Sequence, residues 1–71
     1  MREDEASFLA ECLRRCRPAG NEVPRDVITD MEINHKRACY LLEKWANRGW
    51  YEYGVSTDMG WFIPERIDRA T

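Results

Sequence analysis

The residues best equipped for chemistry gather in one short stretch. His35-Lys36-Arg37 is the only run of three potentially cationic side chains in the sequence. Tyr40, Lys44, Asn47 and Arg48 follow it at helical spacing. Arg and Lys pair with the edge of guanine, and Asn pairs with adenine. Lys44 and Arg48 are better suited to phosphate, which positions a duplex without reading it. The same residue types also make an ordinary solvated face on any amphipathic helix. A cationic start opposes the helix dipole, a small local cost that phosphates would relieve.

Other chemistry finds little support. Cys12, Cys16, Cys39 and His35 can be drawn as a zinc site. Structural zinc favours a knuckle of two cysteines on a turn, whereas Cys12 and Cys16 are four apart on the apolar side of a helix. His35 belongs to the polar side of another. Three thiols packing as small hydrophobes is the expected state, with no metal and no cofactor. There is no phosphate-binding glycine loop and no nucleophile elbow. A single histidine and a small chain leave no basis for expecting an enzyme.

The elements that must position these residues follow from periodicity. Phe8, Leu9, Cys12, Leu13 and Cys16 recur at spacings of three and four, which predicts a helix over 4–17. Acidic residues open it and arginines close it, complementing the dipole at both ends. Pro18 and Gly20 stop it. Pro24 suits a first helical position and opens a short helix over 24–30, with Val27, Ile28 and Met31 on its apolar face. Asn34 is an N-cap candidate for the strongest helix, 34–48, whose Ala38, Leu41, Leu42 and Trp45 share a face. Gly49 ends it. The period then changes. Trp50-Tyr51-Glu52-Tyr53 and Trp61-Phe62-Ile63 are β-prone and form a hairpin over 50–63 around a loop with glycines at both ends. Residues 64–71 read as a short tail.

From Val23 to Ile63 this order resembles the winged helix-turn-helix superfamily, including MarR-type and related bacterial and phage regulators. Ile28 matches the central apolar anchor of the first helix of that motif. Met31-Glu32-Ile33-Asn34 matches its turn, and Trp45-Ala46-Asn47-Arg48-Gly49-Trp50 matches the close of its second helix. The resemblance implies an α+β winged helix-turn-helix fold, three helices followed by a two-stranded wing. It implies that 34–48 is a recognition helix for the major groove of double-stranded DNA. Asn34, His35, Lys36, Arg37, Tyr40, Lys44, Asn47 and Arg48 are then the DNA-binding residues. It also implies a homodimer, or several copies on adjacent sites, with the N-terminal helix as dimer surface.

The wing carries the least charge for that task. Its tip, Val55-Ser56-Thr57-Asp58-Met59, has no cation, and Asp58 there is expected to repel phosphate. Ser56 and Thr57 can still hydrogen-bond one, and Arg66 and Arg69 can supply charge just after the hairpin. Side chains alternate across a strand, so the hairpin aromatics cannot all face one core. Trp45 and Trp61 are assigned to the core, and the tyrosines are left open. Exposed aromatics suit a protein interface, or base stacking in single strands through Tyr51 and Tyr53.

Composition sets the limits. The chain has 71 residues, enough for one domain that buries only about 60% of its unfolded surface. Hydrophobic residues are 44% and charged residues 34%, the profile of a folded soluble domain rather than a disordered one. A net charge of −2 counts against indiscriminate nucleic-acid binding, and supports a protein-interaction module as the rival function. The acidic start, Met1 to Glu5, with no apolar run after it, predicts no signal peptide and no membrane span. A cytoplasmic, nucleoid-associated protein is the expectation.

Overall fold

Two left-handed residues, Glu32 and Gly49, set the path of the chain as it leaves its second and third helices. In the computed structural model, which describes residues 2–70 and the side chains of 2–67, the order is α1 (Glu3–Arg15), α2 (Pro24–Met31), α3 (His35–Asn47), β1 (Tyr51–Tyr53), β2 (Gly60–Phe62) and α4 (Pro64–Ala70). The class is α+β: three helices followed by a two-stranded antiparallel hairpin, the layout expected of a winged helix. The three main helices and the hairpin fall within two residues of the sequence-based bounds. The reading of 64–71 as a tail is corrected: Pro64 opens a further short helix, with Glu65 in its first turn. Ile67 packs against the core and gives that helix its anchor. Thr71 and the side chain of Arg69 lie outside the described residues.

α1 ends against its own connection. The amide of Gly20 donates to Cys16 O at 2.9 Å, and that of Glu22 donates to Arg15 O at 3.1 Å. Both satisfy carbonyls that a helix C-terminus leaves without partners. A Cβ on Gly20 would sit 2.1 Å from Arg15 O, so the close return requires glycine. Arg15 then clamps the corner, its guanidinium meeting the carboxylates of Glu22 and Asp30.

α2 and α3 both finish in a Schellman turn. After α2, Ile33 N donates to Ile28 O at 3.1 Å and Glu32 N donates to Thr29 O at 3.3 Å. After α3, Trp50 N donates to Trp45 O at 2.9 Å and Gly49 N to Ala46 O at 3.0 Å. In each turn the outer and inner bonds satisfy the last carbonyls, and apolar residues stand at both ends of the outer bond: Ile28 and Ile33, and Trp45 and Trp50. The left-handed residue is Gly49 in one (φ 80°) and Glu32 in the other (φ 54°). A side chain at positive φ costs roughly 1 kcal/mol, which Gly49 avoids and Glu32 bears. Asn34 then caps α3, its side-chain oxygen accepting from Arg37 N at 3.0 Å.

The core lies where α1, α3 and the hairpin meet. Phe8, Leu9, Cys12 and Cys16 of the α1 face pack with Val27 and Ile28 of α2 and with Ala38, Leu41, Leu42 and Trp45 of α3. Trp50, Tyr51 and Phe62 close it from the hairpin. The Trp45 ring lies 5.4 Å from Phe8 and 6.1 Å from Phe62, and Phe62 lies 4.7 Å from Tyr51. The expected burial of Cys12 and Cys16 is found. The assignment of Trp61 to the core is corrected. Register pairs Tyr51 with Phe62 and Glu52 with Trp61, so Trp61 shares the outer face with Glu52 and is 46% exposed. Trp50 joins Trp45 in the core instead, its amide tied back to Trp45 O by the Schellman turn. Tyr51 is also buried, its hydroxyl donating to Thr57 O at 2.7 Å, so it offers no platform for base stacking.

Replacing Glu32 by Gly removes the left-handed strain. The opposing gain in unfolded-state entropy is smaller, so the net effect is a stabilisation of up to about 1 kcal/mol. Glu32→Val, β-branched at the same φ, should destabilise by at least as much. Urea unfolding of the three proteins gives both differences, and a Gly variant less stable than wild type would contradict the assignment of strain.

Candidate nucleic-acid interface

α3 buries Ala38, Leu41, Leu42 and Trp45 and leaves its opposite side open. At 3.6 residues per turn, Lys36, Tyr40, Glu43 and Asn47 fall along the centre of that open side. All four are exposed. Two shallow grooves flank Tyr40: one is lined with Glu43, Lys44, Asn47 and Arg48, the other with Arg2, Glu5, Arg37 and Lys44. Sequence reasoning brought Lys36, Tyr40 and Asn47 together, and the structure keeps them so. It left out Glu43, whose carboxylate stands in the middle of the same stripe and which the helical wheel alone identifies.

The two cations beside this stripe are already engaged by α1. Arg37 Nε lies 3.3 Å from Asp4 Oδ2, and Lys44 Nζ lies 3.2 Å from Glu5 Oε1. Arg37 also leans over the Tyr40 ring, 5.8 Å from its centroid. The acidic first turn of α1 therefore serves the dipole of its own helix and the charge of its neighbour at once. Glu5 is buried, and its second oxygen accepts from the Trp45 indole at 3.0 Å. Burial alone would raise the Glu5 pKa. The hydrogen bonds from Trp45 and Lys44, with the positive fields of Lys44 and Arg37, outweigh it and hold the carboxyl below its ordinary value. At Asp4 desolvation is likewise overcome by the hydrogen bond from Arg37.

The remaining side chains of the site sit at the two ends of α3. Lys36 and His35 are exposed at its N-terminus, and among the described residues neither joins an ion pair. Asn34 is occupied as the cap. Arg48 stacks over the Trp50 ring, 5.0 Å from its centroid, and Arg66 Nη1 approaches Gly49 O at 3.4 Å. Arg48 and Arg66 thus flank the same turn, beyond the last residue of the helix.

The expectation that Asp58 stands at the wing tip and repels phosphate is corrected. Asp58 is turned inward and buried. The Arg25 guanidinium donates to both of its oxygens, at 2.9 and 3.0 Å, and the Ser56 hydroxyl donates at 2.7 Å. Arg25, first and foremost by hydrogen bond, holds the Asp58 carboxyl below the usual carboxylate range. The backbone carbonyl of Asp58 also accepts from Arg25 N at 3.0 Å, in the first turn of α2. The loop is therefore tied to α2, with its charge neutralised. Of the wing candidates, the Ser56 hydroxyl is committed to Asp58, while Val55 is fully exposed at the tip. Among the described residues no group of three or more His, Cys, Asp or Glu is placed to hold a metal ion, and no helix is long and apolar enough to cross a membrane. The neighbouring Cys16 thiol and burial push the Cys12 thiol far up, which leaves it a neutral packing group.

Acid should undo these pairs. The Glu5 pKa is depressed in the folded state, so its contribution is complete above the unfolded value, ordinarily 4.5. It is lost as pH falls through the lower folded value. Glu11, Glu22 and Asp58 shift the same way, so the melting temperature should fall steadily below about pH 4.5. Glu5→Gln should lower stability at neutral pH, because Lys44 loses its counter-charge, and should flatten the acid slope. An unchanged acid slope in that variant would remove Glu5 from the account.

No family model, no curated protein and no solved structure matches this chain.

Proposed function

We propose that the protein binds double-stranded DNA sequence-specifically, as a small regulator or DNA-binding accessory of winged helix-turn-helix type, with α3 in the major groove. The observation that carries this reading is the open side of α3. Lys36, Tyr40 and Asn47 project from a helix whose other side is locked into the core and whose start is capped by Asn34. A rigid helix bearing a Lys and an Asn at groove-facing positions is the arrangement that reads base edges. His35, Arg37 and Lys44 border the stripe, and Arg48 and Arg66 stand where phosphates would pass. The wing has a minor part, because the Ser56 hydroxyl is bonded to Asp58 and the tip holds no cation. One such domain makes a small interface, so two or more copies on adjacent sites are proposed. α1 is a poor dimer surface, since none of the exposed large hydrophobic residues falls on it.

A specific observation supports a second reading, a protein-interaction module. Tyr53, Val55, Met59 and Trp61 are large, exposed and confined to the hairpin. Exposed aromatic and apolar side chains suit an interface, with Trp61 on the outer face of the hairpin and Tyr53 on the other.

Fluorescence anisotropy of labelled duplexes across a salt series separates the two. Each phosphate neutralised contributes roughly −0.9 to the slope of log affinity against log salt. With Arg37 and Lys44 held by α1, a slope of about −3 is expected. Lys36→Ala should weaken binding about tenfold, in the range of one lost base or phosphate contact. Asp4→Asn, which frees Arg37, should tighten binding and steepen the slope by about one. Absence of duplex binding at low salt, with Trp61→Ala abolishing capture of a protein partner, would replace the first reading by the second.

A further inference from the structure

One group in the middle of the open side of α3 has no task in the fold. Glu43 is exposed, and among the described residues its carboxylate accepts no hydrogen bond and joins no ion pair. Helix neighbours able to pair with it stand three or four positions away. These are Cys39, Tyr40, Ala46 and Asn47, none of them a cation. Glu43 shares its shallow groove with Lys44 and Arg48. Both are engaged elsewhere: Lys44 Nζ lies 3.2 Å from Glu5 Oε1, and Arg48 stacks 5.0 Å over the Trp50 ring. The carboxylate therefore stands unneutralised between Tyr40 and Asn47.

Such a group works against duplex affinity at a distance, because every phosphate repels it. At contact the sign depends on the base. A carboxylate only accepts hydrogen bonds, and in the major groove the donors are the cytosine N4 and adenine N6 amino groups. Guanine O6 and N7 and thymine O4 are acceptors and repel it. Adenine sets its N7 acceptor beside N6, against the second carboxylate oxygen, whereas cytosine sets only a C–H beside N4. We propose that Glu43 is a specificity-determining residue, whose carboxylate accepts from the N4 amino group of one cytosine in the target duplex. This inference rests on the DNA reading of α3 and names part of the sequence that it reads. At about 1.5 Å per residue, Lys36 and Asn47 stand about 10 Å and about 6 Å from Glu43 along the helix. Base pairs are about 3.4 Å apart, so a helix lying along the groove brings the three side chains to different pairs. The cytosine falls between the base met by Lys36 and the base met by Asn47.

Selection from a random duplex library gives the site preferred by the intact chain, and anisotropy on that site tests the residue. N4-methylcytosine is placed at each selected cytosine in turn. It keeps the base pair and puts a methyl group where the groove-facing hydrogen was. At one position this should weaken wild-type binding about tenfold, the scale of one lost base contact. The same methyl group should cost Glu43→Ala nothing. Glu43→Gln should move the preference at that position to adenine, the base that Gln pairs with. Glu43 is exposed, and circular dichroism should show both variants folded. A methylation penalty that persists in Glu43→Ala at every position overturns the proposal and leaves the DNA reading standing. So does a Glu43→Ala variant that binds all duplexes more tightly with its preferences unchanged, which would make Glu43 a repulsive charge alone. No duplex binding by the wild type at low salt overturns both.

Discussion

The fold hangs on one buried hydrogen bond, from the Trp45 indole to the Glu5 carboxylate. Trp45 is the largest fully buried side chain and touches every layer: Phe8 of α1 on one side and Phe62 of the hairpin on the other. A buried indole needs an acceptor, and a buried carboxylate needs donors. Each group meets the need of the other. The bond also fixes rotation. Because Glu5 sits on the first turn of α1, satisfying Trp45 sets how α1 lies across α3, and Lys44 then falls onto the second carboxylate oxygen. Removing one partner of such a buried hydrogen bond costs about 1–3 kcal/mol, since the other is left unsatisfied. A domain of this size has little stability to lose.

Asp58 repeats the device at the other end of the molecule. Its carboxylate accepts from Arg25 and Ser56 while its carbonyl accepts from the Arg25 amide. A two-stranded hairpin of three-residue strands cannot stand alone in water. Here its loop is stapled to the start of α2, and Phe62 N donates to Arg17 O of the α1–α2 connection at 2.9 Å. The hairpin is thereby held against the helices from both ends of β2. The position of the loop is set by satisfying charge, and its apolar side chains are left facing solvent.

The helices were legible because their apolar residues repeat at 3.6, a signal long enough over 13 residues to fix both extent and face. Gly49, Asn34 and Pro24 were legible because each has a single backbone task. The hairpin was legible as an element but not in phase. Three residues per strand cannot say which aromatic points inward, and the turn at Gly49 settles it by returning Trp50 to Trp45. α4 was missed because one apolar anchor, Ile67, does not make a period, though Pro64 carried the signal of a first helical position. The ion pairs were hidden for another reason. Asp4 meets Arg37 across 33 positions, as Asp58 meets Arg25. Nothing local in a sequence marks charges that far apart as partners.

Those long-range pairs change what the face of α3 can do. By composition it is the most cationic part of the chain, yet Asp4 and Glu5 neutralise two of its charges and Glu43 places an anion among those that remain. Attraction to phosphate acts at a distance and is indifferent to sequence. Hydrogen bonds to base edges, the part proposed for Lys36 and Asn47, act only at contact and depend on which base they meet. Weakening the first while leaving the second untouched lowers binding to all duplexes and raises the ratio by which one sequence is preferred. On the proposed DNA reading, a net charge of −2 is then compatible with a recognition helix, because the acidic turn of α1 would trim the part of the affinity that carries no information. The same turn supplies Glu5 to Trp45, so the charge that tempers the surface and the bond that holds the core come from adjacent residues.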